Sequence, residues 1–379
     1  MLKRTPLFAA HQRAGGKLIE FGGWEMPVQY SSIVDEHLCV RRAAGIFDIC
    51  HMGEVLVTGP DAVTFLNRTL TNDAAKLAVG QGQYTLMCLE TGGVVDDLYA
   101  YRLEETTFLL IINASRIDPD WAWLQARLAA NSDLKVTLEN ASDKLGAVAI
   151  QGPRVVQFIE KVVSGPSQGG TQVASPLDLK KNQIGLWHFE GQPVWLGRTG
   201  YTGEDGYEAI VPAGIVDALW TKILAEGHVG CLQPCGLGAR DTLRTEYCYP
   251  LYGHELDENT SPIEAGLGFF VALEKGDFCG RAALLAQKTE GVKKRCVAFK
   301  MVDKSAPPRP GYPIWVDGVQ VGTVVSGTQS PSLSNGIGLG YVPPGAAEIG
   351  KRIEIEIRGK RFGAEIVKKP ILRKPAAAT

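Results

Sequence analysis

Two adjacent acids interrupt a strand-forming stretch that follows Gly92-Gly93. Alternate residues of a strand share a face, so Asp97, Tyr99 and Tyr101 are predicted to point one way and Asp96 the other. Neighbouring carboxylates are poor choices for the stability of a strand. An acid beside two phenols suits a pocket that handles a cation or a polar heterocycle. The alternative is that both aspartates serve a turn next to the two glycines.

A second segment with chemical potential runs from Arg198 to Glu208, where three glycines separate two tyrosines and three acids. Glycine permits close backbone approach or a positive φ. A carboxylate accepts paired N–H bonds from an aminopyrimidine-like edge, and an aromatic ring stacks on the face of such a heterocycle. The alternative is a tight hairpin with solvated acids. A phosphate-binding loop is excluded, because the GxxxxGK[ST] pattern is absent and the local charge is acidic.

A third segment, residues 236–244, places Arg240 and Arg244 four positions apart on one face of a predicted helix. Each guanidinium has a fork of donors that fits a carboxylate or a carbonyl-bearing ring. The alternative is a solvated surface pair of these arginines with Asp241. The sequence therefore predicts either an anchor for a polar ligand or an ordinary exposed helix face.

The acid pair is predicted to lie on a hairpin formed by strands 94–103 and 108–113. A four-residue loop between these strands would place Asn113 opposite Leu98, on the face away from Asp97. A loop of odd length or a β-bulge would instead bring Asn113 opposite Asp97. Joint participation of the two residues depends on this register.

Other elements follow from capping and turn signals. Ser32 with Asp35 resembles a capping box and predicts a helix to about residue 44. Asp118 before Pro119 predicts a helix with proline at its first position. Residues 153–163 and 238–248 are also helical in pattern. After residue 285, strand-like segments separated by Gly/Pro turns predict a small all-β domain. These segments are 295–301, 313–316, 319–326, 337–342 and 352–357.

Composition excludes several classes of protein. The chain has 379 residues, enough for two or three domains. Its formal charge is −2, which argues against a dedicated nucleic-acid binder. The longest apolar run, Phe108 to Ile112, is far short of the roughly 20 residues that span a bilayer, and no signal peptide is evident. Eight cysteines and six histidines show no metal-ligand spacing, so we expect reduced thiols, no metal and a cytoplasmic protein.

Taken together and in this order, the motifs closely resemble those of the aminomethyltransferase family, the T-protein of the glycine cleavage system. The likeness covers essentially the whole chain. Its parts are Thr5-Pro6-Leu7, the run from Phe21 to Tyr30, Asp48-Ile49-Cys50-His51-Met52-Gly53-Glu54, Gly92 to Leu98, Arg198 to Glu208, Gly238 to Arg244, Pro250-Leu251-Tyr252-Gly253 and Gly340-Tyr341-Val342.

The resemblance implies an α+β, three-domain, cloverleaf-like folate-binding fold with a small C-terminal all-β barrel domain. Residues 1–50 plus 140–250 would form an α/β folate-binding domain. Residues 51–139 plus 251–284 would form an α/β domain that carries the catalytic acid, and residues 285–379 would form the barrel. Tetrahydrofolate would occupy a central channel.

The resemblance also implies the reaction and the residues that serve it. An aminomethyl group on the dihydrolipoyl arm of the H-protein would yield ammonia, methylene-tetrahydrofolate and the reduced arm. The catalytic acid of the family falls on Asp97, which would stabilise a transient positive charge. The positions that match folate-contacting residues are Met52, Tyr84, Tyr101, Ile111, Asn113, Tyr201, Glu208, Arg240, Tyr249 and Arg373. Because the resemblance implies that Asn113 acts together with Asp97, we expect a loop of odd length or a β-bulge in the hairpin that carries them.

Two other functions are weighed against this interpretation. A folate-dependent demethylase of a methylated amine often carries a flavin domain, and no GxGxxG flavoprotein segment is present. Folate-binding proteins of iron–sulfur cluster assembly show a KGCYxGQE-type stretch. The corresponding run here, Lys275-Gly276-Asp277-Phe278-Cys279-Gly280-Arg281, has its cysteine after the aromatic residue. Cys50, where the family usually has serine, and Glu246-Tyr247-Cys248-Tyr249, in place of Glu-Ala-Gly, depart from the family pattern.

Overall fold

The structure, a computed structural model, describes residues 2–373. Its helices are α1 (Phe8–Arg13), α2 (Ile33–Arg42), α3 (Ala62–Thr69), α4 (Ile117–Ala130), α5 (Ile159–Val162), α6 (Val216–Gly227), α7 (Leu237–Tyr247) and α8 (Arg281–Glu290). Short 3-10 turns accompany them, among them Ala114–Arg116 and Gly268–Phe270.

The strands belong to four sheets, one of which is closed into a barrel. They are β1 (Lys17–Phe21), β2 (Trp24–Gln29), β3 (Ala44–Asp48), β4 (Gly53–Thr58), β5 (Gly82–Cys88), β6 (Val94–Glu104), β7 (Thr107–Ile112), β8 (Thr137–Asn140), β9 (Leu145–Gln151), β10 (Gly169–Gly170), β11 (Ile184–Phe189), β12 (Gln192–Gly197), β13 (Gly206–Pro212), β14 (Leu232–Pro234), β15 (Arg295–Met301), β16 (Pro313–Val316), β17 (Val319–Ser330), β18 (Asn335–Val342), β19 (Arg352–Ile357) and β20 (Lys360–Val367).

Two sheets and a barrel make up the framework. One sheet has the order β10-β11-β12-β13-β9-β3-β14, with only β14 parallel to its neighbour. The second sheet, β5-β6-β7-β4-β8, is antiparallel throughout. The closed barrel β15-β18-β17-β16-β19-β20 ends the chain, and β1 and β2 form a separate hairpin. The prediction of an α+β fold with a C-terminal all-β barrel is confirmed.

A shared hydrophobic core joins the two sheets. Phe47 and Ala149 of the seven-stranded sheet pack there with Tyr101 and Leu109 of the five-stranded sheet, and Leu243 of α7 completes the cluster. Each of these side chains is buried almost completely. Burial of apolar area on this scale is the main force that holds the sheets against one another. The face of β6 that carries Asp97 therefore borders this junction.

Local signals explain several element boundaries. The Ser32 hydroxyl accepts the amide of Asp35 at 3.1 Å and begins α2 as predicted. The prediction for α4 was wrong by two residues: the helix begins at Ile117, and Pro119 lies within its first turn, where a missing N–H leaves no intrahelical bond unmade. Helix α7 forms almost as predicted.

Two other predicted elements differ from the structure. Residues 153–163 form a 3-10 turn and the four-residue α5, because Phe158 leaves helical geometry at φ −139° and buries its ring in the core. The barrel has a sixth strand, β20, that the sequence did not indicate. It pairs with both β19 and β15 and so closes the barrel.

Candidate active site

Asp97 occupies the centre of β6 and faces the junction of the two sheets. The Tyr84 hydroxyl, on the neighbouring strand β5, donates to Asp97 Oδ2 at 2.8 Å. The side-chain amide of Asn113 donates to Asp97 Oδ1 at 3.1 Å and to the Asp97 carbonyl at 2.9 Å. Asp97 keeps partial solvent access, whereas Asp96 behind it has none. The carboxyl group is therefore fixed in place but open to a small reactant.

A β-bulge brings Asn113 to this position. Tyr99 pairs with Ile111, and this register places Asn113 across from Asp97. Near the turn the register changes between Arg102 and Glu104, where one extra residue is accommodated. Without that change Asn113 would face Leu98, as in the regular hairpin. The predicted bulge is confirmed, and so is the pairing of Asn113 with Asp97.

The surroundings of Asp97 favour its protonated form. Burial raises the pKa of the Asp97 carboxyl to about 7, and the neighbouring negative charge of Asp96 acts in the same direction. Hydrogen bonds from Tyr84 and Asn113 oppose this rise. The result is an acid that changes its charge near neutral pH, as many catalytic carboxyl groups do.

A chain of hydrogen bonds links Tyr101 of the five-stranded sheet to Glu208 of the seven-stranded sheet, which is one of the predicted folate contacts. The Tyr101 hydroxyl lies 2.6 Å from the Thr199 hydroxyl, which in turn donates to Glu208 Oε2 at 2.7 Å. The ring of Tyr99 lies beside that of Tyr101, with centroids 4.8 Å apart. A Cβ on Gly197 would come within 2.7 Å of the Tyr101 hydroxyl, so a glycine is required there. Tyr101 and Glu208 thus belong to one polar wall.

The Arg240 guanidinium lies at the opposite side of the site. It stacks over the ring of Tyr201 at 4.4 Å, and among residues 2–373 it has no hydrogen-bond or ion-pair partner. Burial lowers its pKa, although an arginine remains charged. Tyr201 donates to the carbonyl of Pro250 and stacks against Tyr249, with centroids 5.8 Å apart and planes 24° apart. A half-buried cation with unused donors fits a polar ligand.

Arg244, the other predicted anchor, serves a structural purpose. It is 2% exposed and bonds to Glu255 at 3.1 Å and to Asp241 at 2.7 Å. Its Nη2 also donates to Ser326 Oγ of the barrel at 2.8 Å. The guanidinium donors of Arg244 are occupied by these partners, so the hypothesis that Arg244 anchors a ligand is wrong. The residue instead joins α7 to the barrel.

Several of the predicted residues border a cavity of about 240 Å³. Met52, Asn113 and Arg240 line it together with His51 and Tyr252. Asn113 connects this cavity to Asp97, and Arg240 connects it to Tyr201. Ile111 lies in register beside Tyr99 on the same face. Arg373 is exposed near the end of the described residues and makes no hydrogen bond or ion pair with any of these residues.

Two buried polar groups near the site were not singled out from the sequence. His51 Nδ1 has no hydrogen-bond partner among residues 2–373, and burial, with the Arg240 charge, lowers the pKa of His51 to about 4. Glu54, which pairs with Ile111 across β4 and β7, is fully buried with both carboxyl oxygens unbonded in the same described part of the chain. Burial raises the pKa of Glu54 well above its usual value. Their only sequence signal was membership of the run from Asp48 to Glu54.

Residues 2–373 contain no group of three or more His, Cys, Asp or Glu side chains placed to bind a metal ion. Within the same residues, every helix is too short or too polar to cross a membrane. All eight cysteines are free thiols. Cys50, which departs from the family pattern, is buried and donates its thiol hydrogen to the Ala147 carbonyl at 3.2 Å.

A fixed acid beside a tyrosine-walled pocket with an unpaired guanidinium is the arrangement expected of an enzyme that transfers a group to a polar heterocyclic substrate. Comparison with known proteins agrees with this class. Family models match residues 7–275 as "GCVT N-terminal domain" and residues 294–372 as "Glycine cleavage T-protein C-terminal barrel domain". The chain belongs to the glycine cleavage T-protein family.

Individual relatives cover nearly the whole chain. An aminomethyltransferase of Geobacillus kaustophilus is 47% identical over 99% of this chain and all of its own length. One of Bacillus subtilis is 44% identical with the same coverage. The crystal structure of glycine cleavage system aminomethyltransferase T from Bartonella henselae has a TM-score of 0.89 at 32% identity and covers 98% of both chains. The prediction of an aminomethyltransferase of glycine cleavage, a tetrahydrofolate-dependent transferase, is confirmed.

Proposed function

We propose that the transfer takes place at Asp97 and that the aminomethyl donor is the dihydrolipoyl arm of a lipoylated H-protein. In the overall reaction the carbon loses its bonds to sulfur and to the departing ammonia nitrogen, and it gains two bonds to folate nitrogens. The observation that carries the proposal is the Asp97 carboxyl group, fixed by Tyr84 and Asn113 yet still partly accessible.

The residues present fit tetrahydrofolate. The Arg240 guanidinium has unused donors, and the buried Tyr99 hydroxyl has no hydrogen-bond partner within residues 2–373. A bound heterocycle with carbonyl and amino groups would satisfy such groups, which are costly to leave unpaired. We propose that the folate is held by Met52, Tyr84, Tyr101, Ile111, Asn113, Tyr201, Glu208, Arg240, Tyr249 and Arg373. For Arg373 this assignment is supported by the family resemblance alone.

When bound, tetrahydrofolate supplies the nitrogens that accept the carbon. The ionised Asp97 carboxylate stabilises the positive charge that develops on the carbon as ammonia leaves. Tyr84 and Asn113 hold that carboxylate in one orientation, so little reorganisation is needed during the reaction. The tyrosine walls exclude water, and Glu208 and Arg240 orient the heterocycle from opposite sides.

We propose the following domain division. Residues 1–50 and 140–250 form one unit, 51–139 and 251–284 a second, and 285–379 a third. The grouping of strands supports it: the seven-stranded sheet draws on β3 and on strands from β9 to β14, whereas the five-stranded sheet is built between residues 53 and 140. We also propose a cytoplasmic location, because all eight thiols are free.

The decisive experiment measures ammonia release from an H-protein loaded with the aminomethyl group, with and without tetrahydrofolate. We expect release that depends on folate. A demethylase would instead act on a free methylated amine, and a non-enzymatic folate binder would bind folate without turnover. Cys279 is buried and bonded to Glu90, which offers no support for the iron–sulfur alternative. Absence of folate-dependent ammonia release would contradict the proposal.

A further inference from the structure

A second pair of acids lies directly behind Asp97. Asp96 points from the other face of β6 towards α4, where its carboxyl group comes within hydrogen-bond reach of Asp120. Both side chains are 0% exposed. Two buried carboxylates in contact repel one another strongly, and a hydrogen bond between them exists only if one carries a proton.

The hydrogen-bond donors around the pair are distributed unequally. Asp96 accepts the Asn113 backbone amide at Oδ2 and the Asn113 side-chain amide at Oδ1, both at 2.9 Å. Neither carboxyl oxygen of Asp120 receives a hydrogen bond from a protein donor in residues 2–373. The nearest cation, Arg116, lies 3.6 Å away through its Nε, which itself makes no hydrogen bond within those residues. Burial raises the pKa of Asp96 as well, but its hydrogen bonds from Asn113 oppose that rise, so the negative charge is better stabilised at Asp96 than at Asp120.

We propose that Asp120 carries a proton at neutral pH, donates it in a hydrogen bond to the ionised Asp96, and thereby acts as a positioning residue for Asp97. The inference rests on the proposed catalytic role of Asp97. The direction of the titration agrees with the geometry: burial and the negative charge of Asp96 raise the pKa of Asp120 to about 11.

Asn113 transmits the effect from one acid to the other. Its side-chain amide donates at once to Asp96 and to Asp97, so the orientation of Asp96 determines where that amide points. The charge on Asp96 also raises the pKa of Asp97. A proton on Asp120 holds Asp96 in place without adding a second negative charge behind the catalytic carboxyl group.

Other groups facing this cluster come from three elements. Arg116 lies in the 3-10 turn before α4 and binds Glu258 at 3.0 Å, and its guanidinium stacks on Tyr252 at 4.9 Å. Tyr84, on β5, faces Asp97 from the other side. Arg116 is therefore shared between two acids and one aromatic ring, which limits how far it offsets a charge on Asp120.

Steady-state kinetics across pH test the proposal with three variants. Asp120→Ala removes the donor to Asp96, and we expect kcat to fall at least about 10-fold, the lower scale of a positioning loss. Asp120→Asn keeps a neutral donor of the same shape, so its kcat should recover most of this loss. The acid limb of its kcat profile should lie at the same pH as that of the wild type. The matched control is Asp118→Asn, an exposed carboxyl of the same helix turn.

Two kinetic results would overturn the proposal. One is an Asp120→Ala enzyme with the turnover of the Asp118→Asn control. The other is an acid limb in Asp120→Asn displaced to lower pH by about 1 unit or more, because that is the effect of removing a negative charge beside Asp97.

Infrared difference spectroscopy decides the protonation of Asp120 without any assay of turnover. At pH 8 the wild type minus Asp120→Asn spectrum should contain the carbonyl band of a protonated carboxyl group, and wild type minus Asp118→Asn should lack it. A carboxylate band in its place contradicts the proposal. The two proposals can fail separately. Absence of folate-dependent ammonia release from the wild-type protein would contradict the proposed function, and the spectrum would still show whether Asp120 is protonated.

Discussion

Replacement of Asp97 by asparagine tests the proposed chemistry most directly. The variant keeps the shape of the side chain but removes its charge. Its amide oxygen can still accept the Asn113 amide, and its NH2 group can donate to the Tyr84 hydroxyl, which is able to reverse its role. We therefore expect the fold and the affinity for tetrahydrofolate to persist, so any loss of rate reflects the missing charge.

The size of the loss follows from the position of the carboxylate. A preorganised group aimed at developing charge contributes about 2.7–4 kcal/mol, so kcat should fall by about two to three orders of magnitude. Because burial and the charge of Asp96 raise the pKa of Asp97 to about 7, the ionised fraction of the wild-type sites increases as the pH rises through neutrality. Wild-type turnover should therefore rise from pH 6 to pH 8, and the residual turnover of the variant should not.

The assay follows ammonia release from aminomethyl-loaded H-protein at saturating tetrahydrofolate, and calorimetry measures folate binding separately. Asp143→Asn, at an exposed position, is the matched control and should behave as the wild type. Turnover of Asp97→Asn within a few-fold of the control, or the same acid limb in both, would refute the role of Asp97.

Three further changes test other parts of the structure. Arg240→Ala should weaken tetrahydrofolate binding by about 1.5–3 kcal/mol, and an unchanged Kd by calorimetry would contradict the contact. Glu54→Gln removes an acid whose pKa is raised by burial, so the wild type loses stability as the pH rises above the pKa of that acid in the unfolded chain. The unfolding free energy of the variant relative to the wild type should therefore be higher at pH 8 than at pH 6 in urea titrations, and an equal difference at both pH values would disprove this. Arg244→Ala leaves Glu255 buried without its partner and should cost about 3–5 kcal/mol of unfolding free energy, whereas a loss below about 1 kcal/mol would argue against the buried pair.

Much of the site could be predicted because strand periodicity is a local property. Alternation alone placed Asp97, Tyr99 and Tyr101 on one face, and the structure has them there. The expectation of a bulge combined this geometry with the family resemblance: residue counting showed that a regular four-residue loop would separate Asn113 from Asp97, and the resemblance implied that the two residues act together. These inferences depend only on the geometry of one hairpin.

Features that depend on packing between segments that are distant in the chain could not be predicted from the sequence. In the sequence, Asp120 has the position of an ordinary acid in the first turn of a helix. Only the fold shows that it is buried against Asp96. Arg244 reads as a possible ligand anchor because its partners, Glu255 and Ser326, come from other elements. In the same way, β20 could not be predicted from its own residues, because it forms by pairing with β15 and β19 when the barrel closes.

The bulge near Leu103 has a consequence for changes in chain length. It lies close to an exposed turn, where insertions and deletions are ordinarily harmless. Here, deletion of the one extra residue would make the hairpin regular and leave Asn113 opposite Asp97, because the pairs Arg102–Phe108 and Glu104–Thr107 would then share one register. This turn should therefore tolerate the loss of that residue, and related chains that retain the acid can carry either the bulge or a regular turn that is one residue shorter.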